Sequence, residues 1–435
     1  MRFPVRDRPC CKQRGLIALA NGAQRSNPAL MNKRLAVTFI LISVMLDSMG
    51  IGLIMPVMPD LIQEVEGEGI GAAAVWGGIM ATIFASMQFL FGPTLGSLSD
   101  RFGRRPILII SLVIMAFNYV LMALALTIWL LLIARVIGGI TAATQATSAA
   151  YMADISKPEE KAANFGLIGA AFGMGFVLGP LIGGVLAEYG TRAPFWAAAF
   201  LAAANAVFGY FILPETVTDR IRRPFEWRRA NPLGAFRNIG ALPGLKRLLL
   251  ITFVYTIAFF VYPGVWAYFG AERFDWGPGM IGLSLGLFGV GIAVVQGALI
   301  RPILKRIGER KAVLLGLTVD VLAFVALGFV TNGWVALALT PLTALGSIAG
   351  PALQGIMSRT ASDDQQGELQ GTVTSINAVA TIIAPLMVTQ TFWYFTAGDA
   401  PFYLPGAPFL LSAVLTIGCI FVFMQTPRPK RARVT

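Results

Sequence analysis

Three ionisable side chains interrupt apolar runs of this 435-residue sequence: Asp47, Arg135 and Asp320. A carboxylate deep in an apolar run is costly when charged and usually lines a wet path or a binding site. Burial favours the neutral acid, which makes Asp47 a group that can take up and release a proton. It falls about 18 Å into its run at helical rise. The plainer alternative is a protonated acid bonded to a neighbouring helix, a role that Ser or Asn fills at lower cost. Arg135 cannot discharge by losing its proton, so it needs a carboxylate, carbonyl groups or water. It is also about 10 Å from one end of its run, within reach of a snorkelling geometry. Asp320 reads two ways, paired with a cation of the adjacent loop or facing a cavity. Uncharged polar residues recur through the runs (Gln88, Asn118, Gln145, Gln296, Gln354, Gln370, Asn377). Singly each suits interhelical bonding; together they predict a polar central cavity, with Asn118, Gln145, Gln296, Asp320 and Gln354 as its substrate-facing members. Tyr255, Tyr262, Trp266 and Tyr268 suit either an apolar pocket wall or interfacial anchoring.

A second concentration of charge is Gly96-Ser-Leu-Ser-Asp-Arg-Phe-Gly-Arg-Arg-Pro106. It reads as a short loop between two apolar runs, with Gly96 at a helix end allowing close contact. Gly103 is free to take positive φ in a tight turn, and Pro106 suits the next helix's first turn. Asp100, Arg101 and Arg104 are placed to form a membrane-surface latch. The fifth run crowds Gly173, Gly175, Gly179, Pro180, Gly183 and Gly184. Such spacing serves close helix packing, and Pro180 deletes a backbone hydrogen bond; a rocking contact is expected there. The sequence has no histidine, and its cysteines are the adjacent Cys10 and Cys11 plus the distant Cys419. A histidine-based metal site, triad or proton relay is excluded, and neither metal spacing nor a disulfide framework is present. The Gly96–Pro106 stretch lacks phosphate-loop spacing. No cofactor, metal or enzymatic activity is expected.

The elements that must hold these groups follow from composition. Hydrophobic residues make up 56% of the chain and charged ones 13%, about half of what a soluble domain carries, so the chain is predicted to be an integral membrane protein. Runs long enough to cross a bilayer as helices fall near 35–57, 73–95, 106–125, 128–152, 165–187, 195–213, 248–270, 280–300, 312–331, 334–357, 369–392 and 406–425. The loop 59–72, with Asp60, Glu64, Glu66 and Glu68 and no base, is predicted to be external. Of the 34 Lys and Arg, only Arg135, Arg192 and Arg273 then lie away from the cytoplasmic side. The net charge of +12 thus reflects the positive-inside rule, not nucleic-acid binding. The expected fold is all-α, twelve transmembrane helices in two pseudo-symmetric six-helix bundles. Its parts are a basic tail 1–34 unlike a signal peptide, a bundle 35–213, a basic cytoplasmic linker 214–247, a bundle 248–425 and a basic tail 426–435, with both termini cytoplasmic. An internal repeat supports the halves: Asp100-Arg-Phe-Gly103 aligns with Lys305-Arg-Ile-Gly308 at an offset of 205, as Gly179-Pro180 does with Ala384-Pro385.

At these residues the chain resembles a known family. Gly96–Arg105 resembles the loop signature of the major facilitator superfamily, and Arg135-Val-Ile-Gly-Gly-Ile-Thr its fourth-helix motif. Gly175–Gly184 is similar to the fifth-helix motif of the drug/proton antiporters. Leu46–Pro59, Ala312–Asp320 and Pro351–Ser358 resemble the tetracycline efflux pumps, and the likeness runs from about residue 32 to 425. The resemblance implies proton-coupled export of a drug-like small molecule, tetracycline-type or multidrug, by alternating access. It further implies a monomer in the bacterial inner membrane whose partners are substrate, protons and lipid. Asp47 and Arg135 would be its proton-coupling charges. Asp100 would lie near the N-terminal end of the eleventh helix, latching the outward-open state with Arg101 and Arg104. Tetracycline pumps carry an aspartate where Asn118 stands and a histidine where Ile292 stands; one carboxylate fewer weakens attraction for a cationic metal–drug complex. A metabolite or sugar transporter on the same scaffold, or a non-transporting receptor, is the alternative.

Overall fold

The computed structural model describes residues 28–142, 144–157, 159–217, 244–362, 365–398 and 400–426, with the side chains of 28–34, Gln145 and Ala162 outside the description. Almost all of these residues are helical. The first stretch forms α1 (Pro28–Ile54), α2 (Met58–Glu66), α3 (Ile70–Phe102), α4 (Arg104–Ala123), α5 (Ile128–Thr141), α6 (Thr144–Ile155), α7 (Lys161–Ala187) and α8 (Ala193–Ile212). Then come α9 (Lys246–Phe259), α10 (Val261–Phe274), α11 (Pro278–Val294), α12 (Ile300–Phe329), α13 (Gly333–Thr343), α14 (Ala349–Thr360), α15 (Gln366–Thr396) and α16 (Ala407–Met424). Among the described residues, eleven helical runs are long and apolar enough to cross a bilayer. One of them, Pro278–Phe329, has 52 residues, about 78 Å at helical rise and more than twice the hydrocarbon thickness. It is broken at Gly308, whose φ of 75° and ψ of 162° are not helical. Large apolar side chains such as Phe117, Trp129, Phe200, Phe211 and Trp334 point outward, as lipid contact requires.

Two expectations about loops are corrected. The predicted loop 59–72 is helical as far as Glu66, where Gly67 (φ 73°) ends α2 with its N–H on the Gln63 carbonyl. Nor is Gly96–Pro106 a loop: α3 runs on through Phe102, and Gly103 alone (φ 113°, ψ 150°) separates it from α4. Gly96 therefore sits inside a helix, with open space where a side chain would be, rather than at a close contact. Continuous helix satisfies its own backbone groups at the membrane surface, which an irregular loop would not. The predicted linker 214–247 lies mostly outside the described residues, as do most of both tails.

The most extensive helix pairings are α1 with α7, α4 with α8, α3 with α15, and α7 with α11. Elsewhere aromatic rings fill the interior. Trp266 is buried against Phe269 and Phe409 and donates through Nε1 to Ser284 Oγ at 2.8 Å. The interfacial-anchor alternative for Trp266 is thereby set aside.

Candidate functional site

A cavity of about 480 Å³, the size of a drug-binding pocket, lies among α1, α3, α4, α5, α7, α10 and α15. Its position follows from glycine packing. Gly175, Gly179 and Gly183 of α7 face the Met45, Met49 and Leu53 carbonyls of α1, so close that no side chain would fit between. Ser48 Oγ reinforces the contact by donating to the Phe172 carbonyl at 2.9 Å. Two residues along a helix differ by about 200°, so an α1 surface committed to α7 at 45 and 49 turns Asp47 the other way, into the cavity. Gly184 faces the opposite neighbour, α11, at Pro278, Gly279 and Gly282, and Gly282 in turn meets the Pro180 carbonyl. The helix-five motif is thus sandwiched between α1 and α11.

Asp47, Asn118 and Arg135 share this cavity. Among the described residues Asp47 makes no hydrogen bond or ion pair, and Arg135 donates only to the Met58 thioether, at 3.5 Å. Its guanidinium lines the cavity, not a snorkelling path. Asn118 is 3% exposed, its amide nitrogen lies against Gly138, and its Oδ1 has no partner. Tyr119 lies within electrostatic reach of both Asp47 and Arg135, and its hydroxyl fills the space beside Gly50.

The cavity is closed at the end bearing Glu66 and Ile70. There the Tyr268 hydroxyl occupies the notch left by Gly77, Thr389 fills that of Gly78, and Thr82 donates to the Ile382 carbonyl at 3.0 Å. Toward the Gly103 end, nothing opposes Gly92 or Gly96 of α3, and Gln370, Gly371 and Thr374 of α15 are exposed. The two helices touch at one end and part at the other.

Other expected members lie elsewhere. Asp320 is fully buried, accepts from the Tyr255 hydroxyl at 3.1 Å through Oδ2, and leaves Oδ1 unpartnered beside Gly346. It lies off the cavity lining, as do Gln296, exposed on a π-helical turn at Val295–Leu299, and Gln354, which donates to Gln370 Oε1 at 3.2 Å. Gln145 has its side chain outside the described residues. Tyr119, Phe84, Phe172 and Phe176 line the cavity without having been singled out. The adjacency of Tyr119 to Asn118 was the one available signal.

At the Gly103 end, Arg104 pairs with Asp100 at 2.5 Å and with Asp154 at 3.2 Å. Glu215 accepts from the Arg104 and Arg105 backbone N–H groups at 2.9 and 3.2 Å, a carboxylate at a helix N-terminus where the dipole favours it. Asp100 here has its ion pair with Arg104 rather than a contact at the start of α15, and Arg101 lies over the Phe102 ring. The repeat offset of 205 recurs in three dimensions. Gly103 and Gly308 both break a helix at positive φ. Arg104–Asp154 has its counterpart in an ion pair of Glu309 with Arg359, with the charges exchanged. Arg105 donates to the Tyr210 carbonyl near the end of α8 as Arg310 does to the Phe423 and Met424 carbonyls at the end of α16.

Eleven bilayer-length apolar helical runs among the described residues define a multi-pass membrane protein, and its charged interior cavity is of a size to admit a small molecule. The chain belongs to the Major Facilitator Superfamily, whose family model matches residues 40–385 and, in an overlapping match, 248–435. It is 39% identical over 390 residues to the class C tetracycline resistance protein of Escherichia coli, covering 90% of this chain and 96% of that one. It is 35% identical to the class B protein of the same organism, over 90% and 97%. Among solved structures, the human organic anion transporter MFSD10 superposes with a TM-score of 0.64 at 26% identity, covering 90% of this chain and 99% of that chain.

Proposed function

We propose that this protein is a proton-coupled antiporter that exports a drug-like small molecule, tetracycline being the first candidate, by alternating access. The observation that carries the reading is the pairing of one carboxylate and one arginine, Asp47 and Arg135, each without an ionic partner among the described residues, in a cavity closed at one end. A carboxylate in such a place can exchange a proton for a bound ligand, and no chemical step is needed. Twelve helices in two six-helix bundles account for the repeat at offset 205 and for splitting the 52-residue run at Gly308. The basic Gly103 end is cytoplasmic, with both termini, and the acidic Glu66 end external, so the cavity opens inward in this conformation. The Asp100–Arg104–Asp154 cluster is then a latch in its disengaged form, and α7 against α11 is the rocking contact. The protein works as a monomer in the bacterial inner membrane, without cofactor or nucleic acid.

Collapse of a preset pH gradient in everted vesicles, on adding tetracycline with magnesium and then a panel of lipophilic cations and neutral drugs, tests this. A response abolished by Asp47→Asn in protein that still inserts is expected. Silence across the panel, or unchanged exchange in that variant, refutes it.

A further inference from the structure

We propose that the cavity binds a zwitterionic amphiphile, with its cationic nitrogen at Asp47 and its anionic oxygen at Arg135. This rests on the reading of the chain as a transporter whose substrate occupies this cavity. Among the described lining residues, Asp47 and Arg135 are the charged ones, and they form no ion pair with each other. Arg135 spends one N–H on a neutral thioether and keeps the rest of its donor fork for something else. A guanidinium fork is matched by a carboxylate or enolate rather than by a neutral group. Asn118 adds a third point, an unpartnered buried Oδ1 that can accept from a ligand N–H or O–H. Most of the remaining wall is apolar, with Phe84, Phe172 and Phe176 among it.

Charge arithmetic selects the ligand class. A ligand carrying only positive charge satisfies Asp47 but sets a second cation near Arg135; one carrying only negative charge does the reverse. In a partly dry cavity both arrangements are penalised more heavily than in water. A neutral ligand leaves two charges desolvated and unpaired, which is costlier still per contact made. A ligand with separated opposite charges satisfies both. The same arrangement supplies exchange: a proton on Asp47 removes the ammonium's partner, so proton and ligand compete for one oxygen pair while Arg135 is unchanged.

The test is equilibrium binding to purified full-length protein in lipid nanodiscs, with each scaffold offered in more than one charge form. Ciprofloxacin (zwitterion) is compared with its methyl ester (cation) and its N-acetyl derivative (anion). Tetracycline, with EDTA present to exclude the metal complex, is compared with 4-dedimethylaminotetracycline, which lacks the amine. The zwitterion is expected to bind at least tenfold tighter than each single-charge form on one scaffold or both. Asp47→Asn should erase the preference over the amine-blocked form, and Arg135→Gln the preference over the ester. Because each readout is a ratio within one protein, partial loss of folded material does not imitate it; the neutral Arg135→Met substitutes if the glutamine variant fails to fold. Equal binding of a single-charge form on every scaffold that binds, or absence of zwitterion binding on both scaffolds, overturns the proposal. Tight zwitterion binding without proton flux would refute antiport alone. Proton-coupled movement of the ester without zwitterion preference would refute this proposal alone.

Discussion

Two glycines five residues apart in α7 should behave differently when given a methyl group. A Cβ at Gly179 would lie 2.6 Å from the Met49 carbonyl oxygen and 2.8 Å from Gly52 Cα, both on α1. One at Gly184 would lie 2.7 Å from the Pro278 carbonyl oxygen and 3.2 Å from Gly279 Cα, both on the α11 side. The obstacle is backbone in each case, so a helix must move, and overpacking of this kind costs about 1–3 kcal/mol. In the proposed cycle the α1·α7 contact lies within one half and persists throughout. Gly179→Ala should therefore lower thermal stability without changing the conformational equilibrium. In the proposed cycle the α7·α11 contact joins the two halves at the closed end and opens when that end opens. Gly184→Ala should penalise the present conformation alone and shift the equilibrium roughly 5- to 150-fold toward closure at the Gly103 end. Gly166→Ala, with nothing within 4 Å of its Cβ, is the control and shares the helix-propensity gain. Spin labels at Thr94 of α3 and Thr374 of α15, read as distance distributions, follow the opening, with Tm measured in parallel. Equal shifts in the two alanine variants would refute the division into a fixed and a moving contact.

Further outcomes follow from the same geometry. Gly77→Val should expel the Tyr268 hydroxyl from its notch and raise labelling, from the Glu66 end, of a cysteine introduced at the cavity residue Ala81; unchanged labelling would remove Tyr268 as the plug. Asp320→Asn keeps an acceptor for Tyr255 and should cost little. Asp320→Leu leaves that hydroxyl only the Gly346 carbonyl, at 3.4 Å, with a loss of about 1 kcal/mol, read as a lower Tm; equal effects would show that the Tyr255–Asp320 bond contributes nothing. Because Arg359 is 66% exposed, a double-mutant cycle on Glu309 and Arg359 should give a coupling below about 1 kcal/mol. The exchanged pair Glu309→Arg with Arg359→Glu should restore whatever transport the single reversals lose.

The sequence by itself determined that the chain lives in a membrane, where its apolar runs lie and which charges are expensive, though not that helix continues past those runs into 59–66 and 96–102. These are local properties: an apolar run of given length must be helical in lipid, whatever surrounds it. It also determined the repeat, since an offset of 205 needs only two aligned landmarks. Position along the run made Asp47 and Arg135 conspicuous, but not Asp320's fate, because depth alone does not say which way a side chain faces. Tertiary structure decided that. The rotation of α1, set by three α7 glycines against its carbonyls, sends Asp47 into the cavity, while Tyr255 and Gly346 enclose Asp320 away from it. It also decided which partners complete the Gly103-end cluster, since Asp154 and Glu215 are 50 and 111 residues from Arg104. Contacts between helices so distant in sequence depend on which faces meet, and in lipid that is set by small-residue packing, which a single chain's residue pattern leaves open.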